Sequence, residues 1–375
     1  MLYTPGSVEA TPGESLPNGF TRGQILATLT RRVQELILLP TEKCNLRCTY
    51  CYEDFAIGRM SEATQVAIER FIDRRVPELV ELRLNWFGGE PLVAKAVVLR
   101  LAQHAKKVCD QHGVVLKGGM TTNGYLLDAE LLDRLLDNDH DFFQITLDGW
   151  EESHDAVRRF ANGRGTFQRI WSNLLAMSQQ SRPFDCLLRI HVRRENIDTL
   201  ATLVTQLAAA FGADPRFRLD FEHVRDLGGA GGATVRAPVS LDELRLIETE
   251  MRAIYDAARP VEDHRGASED ASIQLVEQLN LTKAHGESAG SQRAEDLAAG
   301  GNYICYAAKA NSLLVRADGR IGKCTVALND PRNDIGRLAE DGSVVIDNDK
   351  LRHWISGLGT LDVATLGCPL SRLTP

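Results

Sequence analysis

The chain has 375 residues, 43% of them hydrophobic and 25% charged, which is ordinary for a soluble protein of one large or two medium domains. The net charge of −8 argues against a nucleic-acid partner, apart from local basic patches. The polar N-terminal segment does not have the pattern of a signal peptide, and no stretch of the sequence approaches the ~18 consecutive apolar residues of a membrane span. Eight cysteines in so long a chain are not a disulfide scaffold, so we expect a reducing compartment, the cytoplasm.

Three cysteines follow the first apolar segment, residues 36–39. Cys44, Cys48 and Cys51 have the spacing C-x3-C-x2-C, and Tyr50 precedes the last of them. One loop can therefore offer three thiolates to one iron–sulfur cube, with one iron left open because no fourth ligand is nearby. A structural zinc site normally needs four protein ligands, and a redox motif needs two cysteines rather than three. The pattern favours a cluster.

A second apolar segment, residues 79–87, reads as a buried strand and runs directly into Gly88, Gly89, Glu90 and Pro91. The two glycines allow backbone to approach a ligand closely, and the glutamate is an acceptor that suits an ammonium group. Alone, this tetrapeptide would be an ordinary turn at the end of a strand. One β/α unit after the cysteine loop, it is a much stronger signal.

Together these two motifs resemble those of the radical SAM superfamily. The resemblance implies a 4Fe-4S cluster whose open iron is chelated by the amino and carboxylate groups of S-adenosyl-L-methionine (AdoMet), which carries the radical chemistry. Residues 88–91 look like the family's GGEP motif, which binds the methionine amino group. The resemblance also implies that Tyr50 and Asn123 contact the cofactor.

Apolar strands and amphipathic helices alternate along the chain. Strands are expected near residues 36–39, 83–87, 114–116, 142–147, 186–192 and 217–224, the third leading toward the turn at 121–124. Helices are expected over residues 61–76, 92–112 and 197–211. Six such units imply an α/β fold, a partial (β/α)6 TIM-like barrel, with its chemistry on the loops that follow the strands. The cysteine loop, the GGEP turn and the turns at 121–124 and 148–149 all occupy that position.

A narrower resemblance covers residues 145–158. They are similar to the S-x-D-G…H-D-x-x-R stretch of radical SAM enzymes that act on peptides and proteins, which implies that Thr146 and Arg158 contact the cofactor. The alternative is that His154 and Asp155 only cap a helix and Arg158 is solvated.

The next two strands carry further polar candidates. Arg189 and His191 on the fifth strand either face the adenosine or point to solvent. Glu222 and His223, at the end of the sixth strand, are suitably placed for a catalytic base.

A helix is expected at 238–258, followed by a polar connector at 262–300. After the connector, the last quarter of the chain again has a pattern of strands and turns. Cys305 and Cys324 flank a hairpin with an Asp-Gly turn. This hairpin resembles the start of a SPASM or twitch extension, a small α+β domain that holds an auxiliary Fe-S cluster. Of the family's later cysteines only Cys368 is present. The resemblance therefore implies at most one auxiliary cluster, held by Cys305, Cys324 and Cys368, with an open or substituted iron. The alternative is that these three are buried structural cysteines. Cys109 and Cys186 read as core residues.

The predicted domains are an N-terminal extension (1–32), the barrel (33–236), a helix and linker (237–300) and the auxiliary domain (301–375). Because the first strand begins near Leu36, an N-terminal leader-binding module of about 80 residues does not fit. Leader binding would then use a separate protein, the barrel edge or the C-terminal hairpin.

The resemblance implies a maturase of ribosomally made peptides. A 5′-deoxyadenosyl radical would remove hydrogen from a residue of a precursor peptide, giving a C–C, thioether or ether cross-link, or an epimer. A flavodoxin or ferredoxin would supply the electron. One alternative is a sulfatase-type maturase that forms formylglycine. A non-enzymatic alternative is a degenerate scaffold that binds peptide without chemistry, although a binder needs neither the cysteine loop nor the GGEP turn.

Overall fold

A single ten-stranded sheet organises the computed structural model, which describes residues 16, 18–259 and 303–372. Six of its strands are parallel and neighbour one another in chain order. They are β1 (Val33–Leu38), β2 (Glu81–Trp86), β3 (Val115–Thr122), β4 (His140–Leu147), β5 (Asp185–Val192) and β6 (Phe217–His223). The predicted partial barrel of six parallel strands is confirmed.

Helices connect these strands and lie largely where the sequence predicts them. They are α1 (Arg22–Leu29), α2 (Glu62–Arg75), α3 (Lys95–His112), α4 (Ala129–Leu136), α5 (Glu151–Val157), α6 (Phe167–Ser178), α7 (Ile197–Phe211), α8 (Gly229–Gly232) and α9 (Leu241–Ala258). Ser61 caps α2 by accepting a hydrogen bond from the backbone of Thr64. Helix α3 starts later than predicted, because Pro91 opens a separate 3-10 turn, Pro91–Ala94, before it.

The core lies between the strands and their covering helices. On β2 the buried residues Leu82, Leu84 and Trp86 alternate with Arg83 and Asn85, the period expected of a strand with two different faces. Cys109 in α3 and Cys186 in β5 are both buried in this core, as predicted. Among the residues that the structure describes, no helix is both long enough and apolar enough to cross a membrane.

The predicted hairpin does not form a sheet of its own. Its first strand, β7 (Ser312–Val315), pairs in parallel with β1 and so extends the barrel sheet. Strands β8 (Arg320–Gly322), β9 (Gly336–Leu338) and β10 (Val344–Ile346) follow antiparallel. Three short helices complete this region: Asn348–Trp354, Gly357–Thr360 and Val363–Gly367. The connector predicted at 262–300 lies outside the described residues.

Helix α1 falls within the predicted N-terminal extension, where no element was expected. Thr21 and Gln24 form a reciprocal capping box that fixes its start. Just before it, the fully buried Phe20 packs against Ile304 and Leu366 of the C-terminal region. The beginning and the end of the described chain are therefore packed together.

Candidate active site

The cysteine loop and the GGEP turn follow adjacent strands, β1 and β2, and are in direct contact. Gly88 has a φ of +116°, and a Cβ there would lie 2.3 Å from the carbonyl oxygen of Thr41. A Cβ on Gly89 would lie 2.6 Å from the carbonyl oxygen of Glu42. The sequence predicts that these glycines allow a close backbone approach to a ligand. In the structure the segment they approach is the start of the cysteine loop itself.

Glu90 joins the GGEP turn to the loop after β3. Its carboxylate accepts hydrogen bonds from the Thr122 hydroxyl at 2.8 Å, from the Asn123 backbone at 2.7 Å and from the Leu92 backbone at 3.0 Å. Burial raises the pKa of Glu90, and these three donors oppose that shift. Glu90 therefore positions two loops, and part of its acceptor capacity is already used before an ammonium group arrives.

Asn123 extends this connection to the first cysteine. Its amide donates to Asn45 Oδ1 at 2.8 Å and lies 3.9 Å from Cys44 Sγ. The backbone of Leu46 donates to the same sulfur at 3.3 Å. Hydrogen bonds to a cluster's ligand sulfurs are one way in which a protein sets its reduction potential.

The three loop thiols share one buried environment. Burial raises the pKa of Cys44 and of Cys48, and it raises that of Cys51 to about 12. Cys48 raises the pKa of both other thiols further, as expected of three thiols on one short loop. Ligation to iron would displace their protons. In the described part of the chain no three His, Cys, Asp or Glu side chains converge on one ion; a cube needs no such convergence, because each thiolate binds a different iron.

Tyr50 lies at the centre of a buried polar network. Its hydroxyl donates to Asp148 Oδ1 at 2.8 Å and accepts from Arg158 Nη1 at 3.0 Å. Since its only proton goes to Asp148, His191 Nδ1, 3.0 Å away, must be the donor in the third contact. The network joins the cysteine loop to the ends of β4 and β5.

The charges of this network are unbalanced towards the positive. Asp148 is completely buried, and Arg158 and Arg193 approach its carboxylate to 3.8 and 3.5 Å. Burial raises the pKa of Asp148, and the two arginines oppose the shift. The pKa of His191 is well below its usual value because of burial and three nearby arginines, so its ring stays neutral. Within the described residues, Nε of Arg158 and of Arg193 has no hydrogen-bond partner.

Residues 154–165 decide between the two interpretations of this stretch. Arg158 is 8% exposed, so the solvated alternative is wrong. Asp155 does cap a helix, but it is the next one, since its carboxylate accepts from the backbones of Thr166 and Phe167 at the start of α6. A Cβ on Gly165 would lie 2.0 Å from the Asp155 carboxylate, which explains the glycine there.

The remaining candidates lie on β4, β5 and β6. Arg189 does not point to solvent, because its largely buried side chain pairs with Asp220 at 2.7 Å. Thr146 is its buried neighbour on β4 in the strand register. His223 donates from Nδ1 to the Val239 carbonyl at 2.6 Å, and its Nε2 lies 3.8 Å from Glu222. These side chains share one end of the sheet with the cysteine loop.

The three C-terminal cysteines are also neighbours. The Cys305 backbone donates to the Leu366 carbonyl at 2.8 Å, which brings Cys305 to the segment that precedes Cys368. Burial raises the pKa of Cys305 to about 12, and both Cys324 and Cys368 raise it further. Cys324 is buried, Cys305 is half-buried and Cys368 is exposed. The cysteine loop lies next to the C-terminal cysteines, because Tyr52, directly after Cys51, and Val326, two residues after Cys324, line one cavity.

Two acidic residues of the cysteine loop were not predicted from the sequence. Glu42 forms a buried bidentate pair with Arg316, with N–O distances of 2.8 and 2.7 Å. Glu53 stands two residues after Cys51, and its Oε2 is buried without a partner among the described residues. Burial, together with Glu42, raises its pKa to about 8. Their positions beside the cysteines were the available signal.

Comparison with known proteins shows what this chain is similar to. The family model of the radical SAM superfamily matches residues 38–207. The serine-type anaerobic sulfatase-maturating enzyme of Klebsiella aerogenes is 28% identical over 153 residues, which are 40% of this chain and 37% of that protein. The mycofactocin maturase MftC of Mycolicibacterium smegmatis is 29% identical over 217 residues, 58% of this chain and 49% of that protein. The matches thus span less than half of these relatives' own length.

A solved structure extends the similarity of fold further along the chain. Streptococcus suis SuiB bound to precursor peptide SuiA matches with a TM-score of 0.55 at 14% identity, covering 89% of this chain and 67% of that one. At that identity the match concerns the fold alone.

Proposed function

This chain belongs to the radical SAM superfamily, and we propose that it is a maturase that modifies a residue of a ribosomally synthesised precursor peptide. The product would be a C–C, thioether or ether cross-link, or an epimer. The observation that carries the proposal is the contact of three loops at one end of the barrel: the cysteine loop, the GGEP turn and the turn after β3.

The donor set of the site fits the cofactors that the superfamily implies. Cys44, Cys48 and Cys51 would hold a 4Fe-4S cluster, and no fourth cysteine ligand comes from their loop. Residues 88–91 would bind the methionine end of AdoMet, and Thr146 and Arg158 its ribose and carboxylate. When bound, this pair supplies a 5′-deoxyadenosyl radical, which removes a hydrogen atom from an unactivated carbon.

The chain's own contribution is to hold the loops in place and to limit access of water. The loop residues Cys44 and Tyr50 are each tied to a neighbouring strand end, through Asn123 and Asp148 respectively. Gly231 packs against the loop from the opposite side, where a Cβ would lie 2.2 Å from the Cys51 carbonyl oxygen. A fixed, enclosed site suits a reactive radical, because it limits side reactions.

Two features favour a peptide as substrate. Residues 145–158, which resemble the stretch of peptide-acting enzymes, fold around the Tyr50 network. The relatives include a mycofactocin maturase, and the similar Streptococcus suis protein binds a precursor peptide. We further propose that Cys305, Cys324 and Cys368 ligate an auxiliary cluster, which would bind substrate or accept the electron left after bond formation.

The test is incubation of the anaerobically reconstituted protein with AdoMet, a strong reductant and the short peptide encoded beside its gene. A cross-link removes two hydrogen atoms from the peptide mass. In deuterium oxide, an epimerised residue carries one deuterium at its stereocentre. Robust turnover of a sugar, nucleoside or RNA with no action on peptide would refute the proposal.

A sulfatase-type maturase is the second candidate, favoured by the match to the Klebsiella aerogenes enzyme. Oxidation of a serine CH2OH to an aldehyde also removes two hydrogen atoms, so mass alone does not separate the candidates. A hydrazide probe does, because it traps the aldehyde of formylglycine and leaves a cross-linked peptide unlabelled. Hydrazide labelling of a sulfatase-derived peptide, with no change in the neighbouring precursor, would favour this second candidate.

A further inference from the structure

A cavity of about 290 Å³ lies between the cysteine loop and the C-terminal region. One wall is formed by Tyr52, Glu53 and Asp54, which follow Cys51 directly. The opposite wall comes from residues 326–330 and from Leu370, and residues 227–229 close a third side. The cavity is therefore bounded by the loop of the first cysteine set and by the segment that follows Cys324.

The cavity is acidic, and its carboxylates differ in their partners. Of the four carboxylates that line it, Glu42 is held by Arg316 at 2.7 Å, and Asp330 by Arg332 at 2.6 Å. Asp54 accepts from the Asn329 amide at 3.0 Å and from the Ala56 backbone at 2.8 Å.

Glu53 differs from the other three. Its Oε2 is buried and has no hydrogen-bond partner among the described residues. No Lys, Arg or His is among the described residues that line the cavity. The two arginines that pair with carboxylates of the cavity, Arg316 and Arg332, are bound to Glu42 and Asp330. One carboxylate of the acidic cavity, with a buried Oε2, is thus left without a counter-ion from the part of the chain that the structure describes.

A cation is the group that best pairs with a carboxyl oxygen that has no other partner, because it forms a charge-assisted hydrogen bond and stabilises the ionised form of the acid. The cavity that contains Glu53 also has apolar lining residues, Leu227, Val326 and Leu328. They could pack against the methylene stem of a long basic side chain. An acidic or purely apolar ligand would leave Glu53 uncompensated. The required ligand has a positive head on an apolar stem.

We propose that this cavity binds a lysine or arginine side chain of the peptide substrate, with Glu53 as its ionic partner. The proposal rests on the proposed peptide-maturase function and specifies its substrate class: peptides with a basic residue near the modified position. Glu53 is a recognition residue here. It would hold the peptide beside the cysteine loop, two residues from Cys51.

The test is a binding experiment on the full-length, reconstituted protein with AdoMet. The probes are four fluorescein-labelled pentapeptides, Ala-Ala-X-Ala-Ala, in which X is lysine, arginine, norleucine or glutamate, followed by fluorescence anisotropy. We expect the lysine and arginine peptides to bind about ten-fold tighter than the norleucine peptide, and the glutamate peptide to bind weakest. In Glu53→Gln this preference should fall to about two-fold or less, and Glu53→Asp should retain part of it.

Asp330→Asn is the matched control, since it removes a carboxylate from the same cavity whose charge Arg332 already balances. It should keep the basic preference. Equal binding of the lysine and norleucine peptides to the wild type, or a preference that survives Glu53→Gln, would overturn the proposal. If Glu53→Gln fails to retain iron, the wild-type series decides alone. The experiment requires no turnover, so its outcome is independent of whether peptide is modified.

Discussion

The Tyr50 hydroxyl donates a 2.8 Å hydrogen bond to Asp148, which ties the cysteine loop to the end of β4 across 98 positions of sequence. Asp148 is completely buried, and its second oxygen, Oδ2, has no hydrogen-bond partner among the described residues. The Tyr50 proton is therefore the main neutral donor to a carboxylate that has no access to water.

Replacing Tyr50 by phenylalanine should loosen the cysteine loop without touching a cluster ligand. Loss of one donor to a buried carboxylate costs about 1–3 kcal/mol, and Arg158 and His191 lose their acceptor as well. We expect a lower thermal midpoint, near-normal iron content and about ten-fold less 5′-deoxyadenosine. Tyr125→Phe is the control, because the one hydrogen bond of that hydroxyl to the described residues is an exposed 3.4 Å contact with Arg164. Equal effects of the two variants would contradict this role.

The buried Glu42–Arg316 pair should hold the C-terminal region against the cysteine loop. Both side chains are at most 5% exposed, so Arg316→Met leaves an unpaired buried carboxylate, which costs about 3–5 kcal/mol of unfolding free energy. Denaturant unfolding of the metal-free protein measures this loss. The double variant Glu42→Gln/Arg316→Met should recover much of it. Arg245→Ala, which breaks an exposed pair with Asp242, should change little. If Arg316→Met matches that control, the pair does not stabilise the fold.

Gly88→Ala should disturb the cluster site from outside the cysteine loop. A methyl group there would lie 2.3 Å from the Thr41 carbonyl oxygen, at a φ of +116° that side chains rarely adopt. The loop must move, so we expect iron content after reconstitution to fall by roughly half. Gly58→Ala is the matched control, since a methyl group at that position would have no neighbouring atom within 4 Å. Normal iron in Gly88→Ala would show that the contact is dispensable.

If Cys305, Cys324 and Cys368 ligate a second cluster, the iron content of the protein should show it. Two clusters of the four-iron type would give about eight irons per chain. The Cys44/Cys48/Cys51 triple alanine variant should keep about half of that iron and its visible absorption, and Cys305→Ala/Cys324→Ala should lose the other half. No iron in the loop variant would mean that the C-terminal cysteines are structural. Iron quantification with absorption spectroscopy measures both.

The sequence predicted those features whose signal is local. Strand and helix positions follow from apolar periodicity, and the cysteine loop and GGEP turn from their spacing, because each pattern lies within a few consecutive residues. The same holds for the hairpin, whose Asp318–Gly319 turn has Gly319 at a φ of +81°.

Features that depend on distant partners were missed or left undecided. The Glu42–Arg316 pair joins residues 274 positions apart, and no local sequence pattern near either residue indicates its partner. The sequence did not decide whether Arg189 faces the adenosine or the solvent. Its partner Asp220 lies on the next strand, and only the strand register brings the two side chains together. The pairing of β7 with β1 was likewise unpredictable, since the sequence does not say which sheet edge accepts the hairpin.

The most direct test of radical chemistry at the cysteine loop is 5′-deoxyadenosine formation by anaerobically reconstituted protein with AdoMet and a strong reductant. The wild type should produce it, and replacement of Cys44, Cys48 and Cys51 together by alanine should abolish it, because no thiolates remain to hold the cluster. Replacement of the core residue Cys109 controls for general damage. Undiminished 5′-deoxyadenosine from the triple variant would contradict the account.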